Sequence, residues 1–284
     1  MEENNPLISI IIPTFNRCGL LQKAIDSILA QTCRKWELII IDDGSTDNTS
    51  VLLESYKDDR RIKSYYQDNQ GVSIARNYGV KKSTGYYIIF LDSDDIFYPD
   101  LIQTLYNVNF ENYDFICWQV KKVIDGKEKL WKAKKLGGMY NFLKATFFPG
   151  SICFKKQIFI NAGGFDPKIK FGENYELGMR VSEQTDLKVK LINREFLLYD
   201  IQSSNRESNT YQNRIPSHFH QLRKHFNKYN RYPSEKSELL YIIGYQLEKQ
   251  GKKKGAFILY RKAFHIYPFR LKYFLKLIHF WIFK

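Results

Sequence analysis

Unbroken apolar runs alternate along the first hundred residues with segments whose apolar positions recur every three or four residues. Leu7–Ile12 is such a run, stopped by Pro13, and Trp36–Ile41, Ile62–Gln67 and Tyr86–Leu91 follow it. A strand with no polar alternation is buried on both faces, which is the signature of a sheet covered by helices. Between the runs, Leu20, Leu21, Ala24, Ile25, Ile28 and Leu29 mark one face of a helix over 20–29. Thr46 or Asp47 can cap a helix reaching about Tyr56, and Val72–Lys82 forms the next. Strand and helix thus alternate four times. The pattern predicts an α/β fold with a mostly parallel central sheet flanked by helices.

The pattern loosens downstream. A helix follows Tyr98-Pro99 to about Asn107, and Tyr113–Val123 is strand-like. Residues 121–135 carry seven lysines and predict a solvated hairpin or loop. Gly150–Phe154 and Phe159–Ile160 flank a short basic turn, Gly163–Pro167 is a loop, and Tyr175–Val181 predicts a helix. Leu187–Ile192 and Phe196–Tyr199 predict two short strands. Ser203–Pro216 is polar without apolar rhythm, so it predicts a mobile loop. The expected division is a sheet domain over 1–202, a linker or lid loop over 203–216, and a small C-terminal helical appendage over 217–284. Within the appendage, Gly244, Gly251, Ala256, Tyr260, Ala263 and Pro268 fall where one tetratricopeptide unit places its key residues. One unit cannot cover its own apolar face, so a helical hairpin packed on the main domain is the plainer expectation.

Charge changes the picture mainly for the tail. The net charge is +14, and residues 217–284 hold 15 Lys/Arg against 3 Asp/Glu. Cys18, Cys33, Cys117 and Cys153 lack metal-ligand spacing and predict reduced thiols. The acidic, polar start predicts no secretory signal, and no apolar run is long enough to span a bilayer. A cytoplasmic chain is expected.

The strand Tyr86–Leu91 runs directly into Asp92-Ser93-Asp94-Asp95. Three acids at the carboxyl end of a buried strand repel one another. A hard divalent cation, Mn²⁺ or Mg²⁺, would relieve that repulsion with oxygen ligands. The competing reading is that Asp92 and Asp94 cap the turn and the next helix. Asp42-Asp43 ends the second strand in the same layer, where ligands of open α/β sheets bind. One acid of that pair is expected to cap and the other to bind a base or ribose. The turn Pro13-Thr14-Phe15-Asn16-Arg17 lacks the G-x-G-x-x-G of a dinucleotide site, and no Walker lysine motif is present.

Four segments together carry a resemblance: 9–17 (SIIIPTFNR), 41–47 (IDDGSTD), 69–77 (NQGVSIARN) and 90–95 (FLDSDD). Their order and spacing resemble family 2 glycosyltransferases over about residues 6–200. The resemblance implies the nucleotide-diphospho-sugar transferase fold, an inverting transfer and a divalent metal on the diphosphate. Carried over by position, Pro13 and Phe15 belong to the nucleotide site, with Phe15 stacking on the base. Asp42 and Asp43 line it, with Asp43 reading the base edge, and Arg76 contacts the nucleotide. Asp92 is the first acid of the D-x-D signature, Asp94 a ribose or metal contact, and Asp95 a metal contact. The implied donor is a UDP-sugar and the acceptor a glycan or lipid-linked glycan hydroxyl in cell-surface polysaccharide synthesis.

One position departs from the family. The general base is an aspartate six residues before an arginine, a frame that Arg180 fits, but the residue there is Asn174. Glu173 or Glu176 can take over, the acceptor can need little help, or the chain is an inert nucleotide-sugar-binding or scaffold subunit. A nucleotidyltransferase is a further rival. Gly178 replaces a bulky aromatic, which is expected to widen the acceptor side. The last segment, Phe269–Lys284, mixes aromatics, leucine and lysine. Either it lies on an anionic membrane surface, placing the protein peripherally on the inner face of the cytoplasmic membrane, or it docks on the protein. No nucleic-acid partner is expected, since the basic charge accompanies aliphatic bulk.

Overall fold

The computed structural model describes residues 8–124, 126–201 and 210–282. The strands are β1 (Ile8–Thr14), β2 (Trp36–Asp42), β3 (Ile62–Tyr66), β4 (Tyr87–Phe90), β5 (Ile96–Phe97), β6 (Phe115–Ile124), β7 (Lys127–Trp131), β8 (Lys134–Lys135), β9 (Lys144–Ala145), β10 (Ile152–Lys155) and β11 (Val189–Ile201). The helices of the first part are α1 (Cys18–Leu29), α2 (Thr49–Glu54), α3 (Val72–Lys82), α4 (Leu101–Asn107), α5 (Lys156–Asn161) and α6 (Glu173–Val181). Those that follow are α7 (Tyr211–Lys224), α8 (Phe226–Arg231), α9 (Pro233–Lys249), α10 (Lys253–Ile266) and α11 (Leu271–Ile282).

The main sheet runs β3-β2-β1-β4-β10-β6-β11-β5, with β7 added on β6. β1 to β4, β6 and β11 point one way; β5, β7 and β10 run against them. The sheet is therefore mostly parallel, as the unbroken apolar runs predict. Successive residues of each run serve opposite cores. Ile8, Ile10 and Ile12 pack with Leu38, Ile40, Tyr87 and Ile89 against α1 and α4. Ile11 packs with Ile39, Ile41, Ile88 and Phe90 against α3, α5 and α6.

Two expectations about the strands are corrected. Pro13 does not end β1: pairing with β4 stops at Ile11↔Phe90, while pairing with β2 continues to Thr14↔Asp42. Lacking an N–H, Pro13 is tolerated because it lies beyond the β4 ladder. The two short strands expected over 187–199 are one strand, β11, with register shifts between Ile192 and Leu197. Such a shift disturbs the alternation by which strands are read. The hairpin reading of residues 121–135 is realised by β6 and β7.

The expected loop over 203–216 is only partly testable, because residues 202–209 lie outside the described residues. Residues 211–216 belong to α7, which contains Pro216. Its polar sequence is held by packing instead. Ser217 Oγ accepts the N–H groups of Lys170 (2.9 Å) and Phe171 (3.2 Å), and the Arg214 guanidinium lies 4.4 Å from the Phe171 ring centre.

The chain divides into two compact units. The first takes the described residues to Leu136, Tyr140–Pro167, and Glu173 to Ile201. The second takes Gly137–Met139, Lys168–Gly172 and the described residues from Thr210 onward. The second unit thus borrows two short pieces from within the sequence of the first, which no composition change announces. In it α9 and α10 form the expected hairpin. α11 docks through Tyr273, fully buried, whose ring lies 5.2 Å from that of Tyr241. Among the described residues no helix is long and apolar enough to cross a membrane.

Candidate functional site

Parallel β1, β2 and β4 bring their carboxyl ends to one sheet edge, and the residues following each strand meet there. The first two loops are clamped together. Asn16, at φ 51°, donates its N–H to Ser45 Oγ (2.9 Å) and accepts the Thr46 N–H on Oδ1 (2.7 Å). Asp47 accepts the Cys18 N–H on Oδ2 (3.0 Å) and the Thr49 N–H on Oδ1 (3.0 Å). Asn16 was not singled out from the sequence, and Asp47 only as a helix cap, which it is. A left-handed asparagine between a strand and a helix is the signal that could have marked the first of them.

Of the aspartates at the end of β2, both cap turns, and Asp43 keeps part of its capacity for a ligand. Both serve the backbone. Asp42 Oδ1 accepts the Ser45 N–H (2.9 Å). Asp43 Oδ1 accepts Gln67 Nε2 (2.6 Å) and the Gln70 N–H (2.9 Å), and Oδ2 accepts the Gly71 N–H (2.8 Å) at the entry to α3. A carboxylate has about four lone-pair sites, so Asp43 keeps roughly one for a ligand. Gly44 sits at φ 88°, and a Cβ there would meet the Asn69 nitrogen at 2.8 Å. Only glycine permits this close crossing of loops. Pro13 is buried and Phe15 half-buried at the same edge.

Asp92, Asp94 and Asp95 cluster after β4, with one carboxylate oxygen of each lying within 4.8 Å of the others. Asp95 is fully buried. Three hard oxygen donors at this spacing fit a divalent cation by their chemistry. Two guanidinium groups reach the cluster. Arg17 Nη1 lies 2.5 Å from Asp94 Oδ2, and Arg76 Nη2 lies 2.5 Å from Asp92 Oδ1. Arg76 also donates through Nη1 to Glu173 Oε1 (3.0 Å). It is 2% exposed, with its guanidinium 5.1 Å from the Phe165 ring centre, so it is no surface arginine. Burial pulls its pKa down, but the charges of Asp92 and Glu173 outweigh that and leave it raised. Phe165 is held in place by Asn77, which donates to its carbonyl (2.8 Å) and accepts its N–H (2.9 Å).

Glu173, Asn174 and Glu176 all lie in the first turn of α6, yet they face different partners. Asn174 donates to Glu173 Oε1 at 3.0 Å, placing Glu173 between Arg76 and the amide. Glu176 is fully buried and held by Arg180, with Nε–Oε1 at 2.9 Å and Nη2–Oε2 at 2.6 Å. Arg180 also donates to the Ala162 carbonyl. Glu176 is therefore the buried ion-pair partner of Arg180. The widened acceptor side expected at Gly178 is also corrected. A Cβ there would lie 2.5 Å from Phe147, so that ring already fills the space.

A family model described as glycosyl transferase family 2 matches residues 9–166, more than half of the chain. The chain belongs to this family. Curated relatives of the chain are named as glycosyltransferases. An uncharacterised glycosyltransferase of Rickettsia typhi is 32% identical over 191 residues, covering 62% of this chain and 59% of that protein. The chain thus spans about three fifths of that relative's length. TuaG of Bacillus subtilis, named for teichuronic acid biosynthesis, is 38% identical over 100 residues, covering 34% of this chain and 40% of its own. Among solved structures, S. aureus TarS 1–349 in complex with UDP-GlcNAc superposes with a TM-score of 0.62 at 17% identity. That match covers 84% of this chain and 66% of TarS 1–349. At that identity the likeness shows the fold alone.

Proposed function

We propose that this chain is an inverting glycosyltransferase that moves a sugar from a UDP-sugar to a hydroxyl of a glycan or lipid-linked glycan acceptor. The observation that carries the reading is the Arg76 bridge. One buried guanidinium joins Asp92 of the acidic cluster to Glu173 of α6, and in this reading it links the donor side to the acceptor side. In support, TarS has been solved with UDP-GlcNAc and with UDP, and TuaG is named for teichuronic acid biosynthesis. A cell-surface polysaccharide is accordingly the proposed product class.

Phe15 and Asp43 would hold the base, and Asp94 and Asp95, with Asp92 beside them, would hold Mn²⁺ or Mg²⁺. When bound, such a cation neutralises the charge developing on the diphosphate leaving group. The acceptor hydroxyl attacks the anomeric carbon opposite the leaving diphosphate, which departs with the bonding electrons. Glu173 takes the hydroxyl proton, because Asn174 cannot and Glu176 is locked to Arg180. Arg76 orients Glu173 through Oε1 and leaves Oε2 for the acceptor.

We also propose peripheral attachment to an anionic membrane through the exposed face of α11 and the turn before it. Phe269 is 83% exposed, Leu271 68% and Leu275 54%. A second functional reading, a nucleotide-sugar-binding subunit without turnover, is motivated by Asn174.

The test is a thermal-shift screen of UDP and UDP-sugars with Mn²⁺ or EDTA, followed by an assay of UDP release. We expect stabilisation by UDP only with Mn²⁺, and its loss in Asp95→Ala. Equal stabilisation in EDTA would remove the metal from the reading. Binding without UDP release in the presence of acceptor would favour the second reading.

A further inference from the structure

The two guanidinium groups at the acidic cluster are held in different ways. Arg76 is buried and tied to two carboxylates on different elements. The Arg17 side chain is 31% exposed and reaches Asp94 from the first loop. Its backbone is fixed, because its carbonyl accepts the N–H groups of Leu20 (3.0 Å) and Leu21 (2.8 Å) at the start of α1. Its neighbours Asn16 and Cys18 are pinned to the loop after β2. The side chain can therefore swing while the backbone stays in place. Its cation rests on an oxygen of one of the three clustered carboxylates.

We propose that Arg17 is a displaceable counter-cation: it occupies Asp94 in the nucleotide-free protein and transfers to the diphosphate when a nucleotide binds. The inference rests on the proposed metal site at Asp92, Asp94 and Asp95. A divalent cation arriving alone must displace Arg17 and strand its charge. A cation arriving with a nucleoside diphosphate brings phosphate oxygens, which a guanidinium pairs with well. Arg17 thereby couples the two ligands, so that metal and nucleotide enter together. By thermodynamic reciprocity, each must raise the other's affinity by the same factor. Arg17 is a positioning residue here; a merely structural ion pair would affect stability but not this coupling.

The experiment is a paramagnetic resonance titration of Mn²⁺ with wild type, Arg17→Met and Arg17→Lys, each with and without UDP. Wild type is expected to bind Mn²⁺ at least about tenfold more tightly with UDP, within the usual range of coupling between sites. Arg17→Met should bind Mn²⁺ about tenfold more tightly than wild type without UDP and lose most of the UDP effect. Arg17→Lys keeps a cation in reach and should behave like wild type. Circular dichroism establishes that the variants are folded. Unchanged or weaker nucleotide-free Mn²⁺ binding in folded Arg17→Met, with the UDP effect intact, overturns the proposal and leaves the metal site standing. Absence of Mn²⁺ binding to wild type even with UDP overturns the metal site and this inference with it.

Discussion

At the scale of single residues, the first turn of α6 decides the chemistry. Glu173, Asn174 and Glu176 are neighbours in sequence, but side chains on a helix step by about 100° per residue. Glu176 therefore turns into the core toward Arg180, while Glu173 meets Arg76. Glu173→Gln is expected to lower UDP release with acceptor by about 10²–10⁴, the usual worth of a general base. Glu176→Gln should act on stability instead, lowering the melting temperature because Arg180 loses its buried charge partner. Asn174→Asp should raise turnover little, since Glu173 already serves as the base. A rise of about 10²–10⁴ in that variant would show that no carboxylate serves as base in the wild type.

At the scale of elements, Glu37 ties the strand ends opposite the site. Its Oε1 accepts Ser9 Oγ of β1 (2.7 Å) and Thr84 Oγ1 before β4 (2.9 Å), and Oε2 accepts Lys63 Nζ of β3 (3.2 Å). Burial pushes its pKa up, but the hydrogen bonds from Ser9, Thr84 and Lys63 prevail and hold it below the ordinary 4.5. The folded value lies below the unfolded one. Its contribution is therefore fully present above the ordinary value and is lost as pH falls through the folded value. Glu37→Gln is expected to cost about 1–3 kcal/mol near neutral pH, with buried donors left poorly matched. In denaturant titrations, the gap between wild type and variant should shrink as pH falls below 4.5. A gap independent of pH would show that the carboxylate charge contributes nothing.

At the scale of the whole molecule, charge and apolar exposure concentrate in the C-terminal region. The lysines of α11 do not serve as free headgroup contacts. Lys272 pairs with Glu238 (2.6 Å) and Lys276 with Glu248 (2.9 Å), so both bind α11 to α9. Lys252, Lys253, Lys254, Arg261 and Lys262 remain exposed on or just before α10. Deleting the last segment would strip buried Tyr273 from the second unit, so point substitutions test membrane attachment more cleanly. Leu271→Glu with Leu275→Glu is expected to abolish sedimentation with anionic liposomes while leaving UDP binding intact. Wild-type sedimentation should weaken with salt as screening shortens the reach of the lysines to about 8–10 Å. A double variant that still sediments would exclude α11 as the contact.

The sequence by itself determined the strands, the helices between them and the order of the motifs. Each depends on short-range spacing: Ile8–Ile12 can only be buried on both faces, and α3 begins and ends at the residues its pattern indicates. Parallel strands then place Asp42, Asp43 and Asp92–Asp95 at one edge by topology alone. What each side chain does there was decided by tertiary structure. Asp42 and most of Asp43 are occupied by loop groups because the loops after β1, β2 and β3 converge. Gly178 makes room for Phe147 of a distant segment, and Arg17 reaches Asp94 across 77 positions of sequence. α7 takes Lys170 and Phe171 as partners, which its own polar sequence does not announce. Local spacing carries no record of partners so remote, so the elements could be read from the chain and their pairings could not.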